Sequence, residues 1–144
     1  MTAEFIVAVH ALVYLNHNKT HKSSEEIAEN VCTNPARVRK VMSKLKKAGL
    51  AEAKLSFEGG YAFVKEADRV TLYDIFRATD DSIVNVSWRS GSECAECPIS
   101  RSMKPLMDNV FDQIDNSGRE VLKKITIDDI DRKIFKREGQ THEI

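Results

Sequence analysis

The fold is decided by residues 34–49, which read NPARVRKVMSKLKKAG. Asn34 is a favourable N-cap, and Pro35 suits the first helical position because its missing N–H would have no intrahelical partner there. Gly49 is typical of the residue that follows the end of a helix. Because successive helical residues are turned by about 100°, the apolar side chains of this stretch fall on one side, which predicts a helix packed on a core. The predicted core side is formed by Val38, Val41, Met42 and Leu45.

The opposite side of this helix carries cations. Between residues 34 and 54 there are seven lysines and arginines against the single acid Glu52, a local charge of +6. A basic stripe on the second helix of a helix-turn-helix is typical of a recognition helix in the major groove of DNA, with an ordinary solvated helix face as the alternative. Arg37 is the candidate for a bidentate contact with guanine, and Lys44 and Lys47 are candidates for phosphate contacts. The candidate DNA-binding residues of this region are Thr33, Asn34, Arg37, Lys40, Lys44 and Lys47.

The neighbouring elements complete the pattern of a winged helix-turn-helix. Residues 3–17 have apolar residues at helical spacing, and Ser23 with Glu26 forms a capping-box pattern at the start of a short second helix. After the recognition helix, residues 50–64 read as two short strands around a glycine-containing loop, which predicts a hairpin, or wing. The candidate DNA-binding residues of the hairpin are Lys54, Ser56, Gly59 and Gly60, although the turn alone also explains the two glycines.

The second half of the chain is predicted to carry a long helix outside the DNA-binding domain. Thr71 starts a capped helix that ends near residue 79, and residues 81–97 form a loop. The long helix opens at Pro98 and runs to about Lys124, with a weak point at Gly118. Its apolar stripe needs a partner, which predicts a dimer interface, with packing inside the single chain as the alternative. The interface candidates are Met103, Leu106, Val110 and Ile114.

These elements predict a mainly α fold with a small β-hairpin wing. We assign residues 1–80 to the winged helix-turn-helix and 81–97 to a loop with a C-x-x-C motif. Residues 98–135 form the dimerisation helix and a short C-terminal helix, and 136–144 a polar tail.

Composition narrows the function classes. The 144 residues carry 22 basic and 22 acidic side chains, so overall charge favours no partner. No apolar run approaches the roughly 18 residues of a membrane span, and the first residues lack the basic region of a signal peptide. We therefore expect a cytoplasmic protein with no membrane partner. A phosphate-binding glycine loop, a nucleophile elbow and a paired-carboxylate signature are all missing from the sequence, so an enzyme is not expected.

Three cysteines are present, at positions 32, 94 and 97. Cys94 and Cys97 form a C-x-x-C motif in a polar loop. Such a pair is suited to a redox or electrophile switch, and the alternative is that it has no sensing role. Cys97 precedes a helix N-terminus, whose dipole favours the thiolate. Cys32 abuts the recognition helix and is either a further sensor or buried filler. Two cysteines are too few for a zinc or iron–sulfur site unless other ligands or a second chain contribute, so no cofactor is predicted.

Several stretches together resemble the Rrf-two (Rrf2) family of winged-helix transcription regulators. The resemblance covers about residues 5–132 and implies a homodimer, joined mainly by the long helix, that presents two winged helices to a pseudo-palindromic operator. Cluster-binding members place three cysteines in the loop before the long helix, where this chain has two. The matching stretches are residues 34–41 and 45–50 (NPARVRKV and LKKAGL), 59–61 (GGY), 70–75 (VTLYDI), 97–99 (CPI) and 125–130 (ITIDDI).

The leading hypothesis is therefore a sequence-specific, homodimeric repressor that binds double-stranded DNA and responds to redox or electrophile signals through its cysteines. Two other function classes remain. One is a small thiol oxidoreductase that uses Cys94 and Cys97, although these do not lie in a β-α-β pattern. The other is a winged-helix scaffold that binds protein, although such scaffolds usually lack a cationic stripe.

Overall fold

The structure is a computed structural model that describes residues 1–55 and 59–142, with side chains as far as residue 136. It confirms a mainly helical fold with a small antiparallel hairpin. The described elements, in chain order, are α1 (Ala3–Asn18), α2 (Ser24–Val31), α3 (Pro35–Lys47), β1 (Ala51–Lys54), β2 (Gly60–Phe63), α4 (Leu72–Thr79), α5 (Pro98–Lys123) and α6 (Ile127–His142).

The predicted helix starts are confirmed by their capping hydrogen bonds. The Ser23 hydroxyl accepts from the Glu26 amide at 3.1 Å, and the Glu26 carboxylate accepts from the Ser23 amide at 3.3 Å. The Asn34 side chain accepts from the Arg37 amide at 2.8 Å. Thr71 forms a second capping box at the start of α4. Each cap satisfies amides that have no partner within the helix, which fixes the first residue of α2, α3 and α4.

The core surrounds α1, which packs against α2, α3, α4 and α6. The predicted core side of α3 is confirmed, because Val38, Val41, Met42 and Leu45 are all fully buried. This burial fixes the rotation of α3 and turns its basic side outward. The other largest buried side chains are Leu12, Leu15, Ile27, Ile75, Phe76 and Ile127.

The hairpin is attached to the helix-turn-helix along its outer edge. β1 and β2 pair antiparallel, and the free edge of β2 pairs with the segment just before α2, where Lys22 and Tyr61 exchange backbone hydrogen bonds of 3.0 and 2.8 Å. Gly60 permits this approach, since a Cβ atom there would lie 2.5 Å from the Lys22 carbonyl oxygen. Its φ of +144° is also in the region that favours glycine.

α5 is continuous through Gly118, where the sequence predicted a weak point. A Cβ atom at Gly118 would lie 2.7 Å from the Ile83 side chain. The glycine therefore makes room for a residue of the loop that precedes α5. That requirement comes from tertiary packing, and the local sequence does not reveal it.

α6 is longer than predicted. It spans 16 residues, Ile127–His142, whereas the sequence predicted only a short helix here. Residues 136–142, which were predicted to form a polar tail, continue the helix. The Phe135 ring stacks on His17 of α1, with ring centroids 3.8 Å apart. Packing against α1 stabilises α6, although its polar C-terminal end had predicted a tail.

Candidate nucleic-acid interface

The basic stripe of α3 lies on the surface. Arg37, Lys40 and Lys47 are exposed, and Lys44 is half-buried. The two residues that lead into the helix are Thr33, half-buried, and Asn34, exposed, whose side-chain oxygen caps the helix. The stripe predicted from spacing thus forms one continuous outward face of α3.

Glu4 of α1 is a member of this surface that the sequence did not reveal. Its carboxylate lies 3.0 Å from the Lys40 ammonium and also pairs with Lys44. These partners, Lys44 first and then Lys40, hold the pKa of Glu4 below its ordinary value. Because Glu4 lies 36 to 40 residues before its partners, no local pattern connects them. Two of the four stripe cations are therefore paired, while Arg37 and Lys47 make no ion pair with the described part of the chain.

A fifth cation of α3 is turned toward α2. Arg39 donates to the Ser24 hydroxyl at 3.3 Å and lies 3.8 Å from the Glu25 carboxylate. It therefore flanks the stripe without belonging to it.

The hairpin supplies less to this surface. Lys54 is exposed at the end of β1, opposite Gly60 in the strand register. Gly59 is half-buried, and Gly60 has the packing role described above. Ser56 lies outside the described residues.

All three cysteines are free and exposed. The interpretation of Cys32 as buried filler is therefore wrong. It ends α2 with a φ of +65°, and two residues separate it from the start of α3. Cys97 is the N-cap residue of α5, and the backbone amides of Ser100 and then Ile99 lower the pKa of its thiol, the direction predicted for a helix start.

The loop between α4 and α5 is held against α5 by charged side chains. Arg89 contacts the Asp108 carboxylate at 2.6 Å and lies over the Phe111 ring at 4.5 Å. Nearer the other end of α5, the Asp115 carboxylate accepts from the amides of Ile83 and Val84 at 2.5 and 3.1 Å. The cysteine loop is thus attached to α5 over much of the helix length.

The apolar stripe of α5 is largely uncovered in the single chain. Leu106, Val110 and Ile114 are 61%, 44% and 51% exposed, and Met103 is half-buried. Among the described α5 residues, Leu122 alone is buried. A helix with this pattern leaves most of its apolar surface in contact with water.

Comparison with known proteins decides the family. The sequence profile of the Rrf2 family, described as an iron-dependent transcriptional regulator, matches residues 1–133. The chain belongs to the Rrf2 family. YwnA of Bacillus subtilis, by name an HTH-type transcriptional regulator, is 24% identical over 135 residues, which cover 94% of this chain and 99% of YwnA.

Solved structures share the Rrf2 fold. A transcriptional regulator from Lactobacillus plantarum has a TM-score of 0.81 at 24% identity, with 99% of each chain covered. CymR, the global cysteine regulator of Bacillus subtilis, has a TM-score of 0.68 at 22% identity, with 92% of this chain and 96% of CymR covered. These structures show the winged-helix fold, and membership of the Rrf2 family makes the present chain a transcriptional regulator.

The Rrf2 description includes iron dependence, and a bound iron would need cysteine, histidine or acidic side chains as ligands. Among the side chains of residues 1–55 and 59–136, no group of three or more histidine, cysteine or acidic residues could hold a metal ion. Cys94 and Cys97 alone do not satisfy the four positions of an iron–sulfur or zinc site. The described helices also include none that is long and apolar enough to cross a membrane.

Proposed function

We propose that this Rrf2 protein is a cytoplasmic repressor that binds a specific operator as a homodimer. The observation that carries the proposal is the outward basic stripe of α3, held in place by a fully buried apolar side on the second helix of a helix-turn-helix. That arrangement is suited to insertion into the major groove.

The positions along α3 suggest how the contacts are divided. Arg37 lies in the first turn, where recognition-helix side chains reach base edges, and its guanidinium is suited to the two acceptors of guanine. Thr33 and Asn34 lie just before the first turn of α3 and would approach the DNA beside Arg37. Lys40, Lys44 and Lys47 lie further along and are suited to phosphate, as is Lys54 of the hairpin. Base contacts would give specificity, and phosphate contacts would give most of the affinity.

Dimerisation through α5 is the second part of the proposal. The exposed stripe of Leu106, Val110 and Ile114 would be covered by the same stripe of a second copy in a two-fold interface. A two-fold dimer presents its recognition helices to half-sites about 34 Å apart, one turn of B-DNA, and this requires a pseudo-palindromic operator.

The proposal is tested by titrating genomic fragments and a random duplex at several salt concentrations. Each phosphate contact contributes about −0.9 to the slope of log K against log salt. With up to four stripe cations in each of two subunits, we expect a slope between about −4 and −7. One genomic fragment should also bind far more tightly than the random duplex. A flat salt dependence, or equal binding of all duplexes, would contradict specific DNA binding.

We further propose that the cysteine loop responds to peroxide-type oxidants. Both thiols of the pair are exposed, the pKa of Cys97 is lowered, and the loop is attached to α5. Attack of the Cys97 thiolate on hydrogen peroxide breaks the O–O bond and, with one proton from water, gives a sulfenic acid and a water molecule; the Cys94 thiol then attacks the sulfenic sulfur, forming the disulfide and releasing a second water. Overall, two thiols and one hydrogen peroxide give one disulfide and two waters.

The cysteine proposal predicts that hydrogen peroxide changes the operator affinity of the wild type by about tenfold or more. The double variant Cys94→Ser with Cys97→Ser should show no change, because it cannot form the disulfide. Cys32→Ser is the matched control and should respond as the wild type does. An equal response of the double variant and the wild type would rule out the switch. Visible absorption of anaerobically purified protein would instead favour a cluster shared between chains.

A further inference from the structure

Glu4, Lys40 and Lys44 all line one hollow that is open to solvent. The carboxylate side chain is 20% exposed, and those of Lys40 and Lys44 are 68% and 36% exposed. The hollow has a volume of about 560 Å³ and is lined by Thr2, Ala3, Glu4, Ala36, Arg37, Lys40, Lys44 and Thr79. A second anion can therefore approach the lysines without any movement of the helices.

We propose that Glu4 attenuates DNA binding by holding Lys40 and Lys44 in ion pairs that a DNA phosphate must displace. The inference rests on the proposed function, because it concerns the same surface. It assigns to Glu4 the role of a positioning residue that acts through the two lysines.

The Glu4 carboxylate and a DNA phosphate compete for the same cations. A phosphate entering the hollow meets three cations, but it also meets a carboxylate that already neutralises part of their charge. Arg37 and Lys47, which form no ion pair within the part of the chain that the structure describes, lie at either end of the lysine pair. Glu4 thus reduces the net charge offered to DNA at the middle of the recognition helix. Affinity and its salt dependence both follow that net charge.

A purely structural role for Glu4 predicts a different result. If the ion pairs served only to fasten α1 to α3, their removal would lower the melting temperature and weaken DNA binding through loss of fold. Salt dependence separates the two roles, since the slope reports the charge presented to phosphate and not the stability of the domain.

The test compares Glu4→Gln with the wild type in anisotropy titrations of operator and random duplexes. We expect Glu4→Gln to bind both duplexes about tenfold more tightly at low salt, with a slope steeper by about one per subunit. Glu25→Gln is the matched control, because it also removes an acid near α3, but one at 3.8 Å from Arg39, outside the stripe. Glu25→Gln and the conservative Glu4→Asp should both keep a slope close to that of the wild type.

Weaker binding by Glu4→Gln, or an unchanged slope, would overturn the inference while leaving the proposed function intact. Failure of the wild type to bind any duplex would overturn the proposed function, and the inference with it. A measurement on the wild type covers the case in which the variant does not fold. The carboxyl carbon-13 resonance of Glu4 should move on addition of duplex, and a resonance that stays in place would contradict displacement.

Discussion

Retention of operator DNA is expected to be abolished when Arg37 and Lys40 are both replaced by glutamate. The change removes the candidate guanine contact, worth about 1–3 kcal/mol, and a phosphate contact in each subunit. It also adds repulsion between the new carboxylates and the DNA backbone. Glu4 would then face a carboxylate in place of Lys40, which increases the local negative charge. In a dimer we expect a loss of at least about 10³-fold in affinity, measured by fluorescence anisotropy.

The control for this experiment is the double variant Lys124→Glu with Lys133→Glu. Both lysines are exposed and lie outside α3, and the change in net charge is the same. The control should lose far less affinity, because charges beyond about 10 Å are largely screened at ordinary salt. The fold of Arg37→Glu with Lys40→Glu should survive, since both side chains are exposed and an acid at position 37, in the first turn of α3, is favourable. Undiminished DNA binding would mean that α3 is not the binding surface.

Replacement of Leu106 and Val110 by glutamate is expected to convert a dimer into monomers. A two-fold interface would receive four new carboxylates, each taken out of water against apolar side chains or against another carboxylate. We expect the dissociation constant of the dimer to rise by at least about 10³-fold, measured by sedimentation equilibrium. Operator affinity should fall as well, because one subunit contacts only one half-site.

The matched control for the interface is Leu55→Glu. Leu55 is 98% exposed beside the hairpin, so the same apolar-to-acid change there should leave the oligomeric state unaltered. A wild type that is monomeric, or a Leu106→Glu with Val110→Glu variant that stays dimeric, would show that α5 does not form the interface. The variant is expected to fold, because Leu106 and Val110 are already 61% and 44% exposed in the single chain.

The parts of the fold that could be predicted are those set by residues close together in the sequence. The caps at Ser23, Asn34 and Thr71 each join residues three apart, and the buried side of α3 follows from helical spacing. These features depend on backbone geometry within one or two turns. They were sufficient to place the starts of α2, α3 and α4 and the buried side of α3, while the hairpin was predicted from its glycine-containing loop.

The features that were missed depend on contacts between distant residues. Glu4 meets Lys40 and Lys44 across 36 and 40 positions, and Asp115 meets the amides of Ile83 and Val84 across 32 and 31. Spacing within a segment carries no information about such pairs. The length of α6 was missed for the same reason, because its stacking partner is on α1.

The attachment of the hairpin to Lys22 has a consequence for how binding can be controlled. β1 follows α3 almost directly, and β2 is bonded to the residue just before the capped start of α2. A rotation of the wing alone would break both backbone hydrogen bonds at Tyr61, so the wing and the recognition helix are expected to move as one rigid body. In the proposed dimer, an effector would then act most readily on the distance between the subunits, which sets whether the two α3 helices are in phase with successive turns of the double helix.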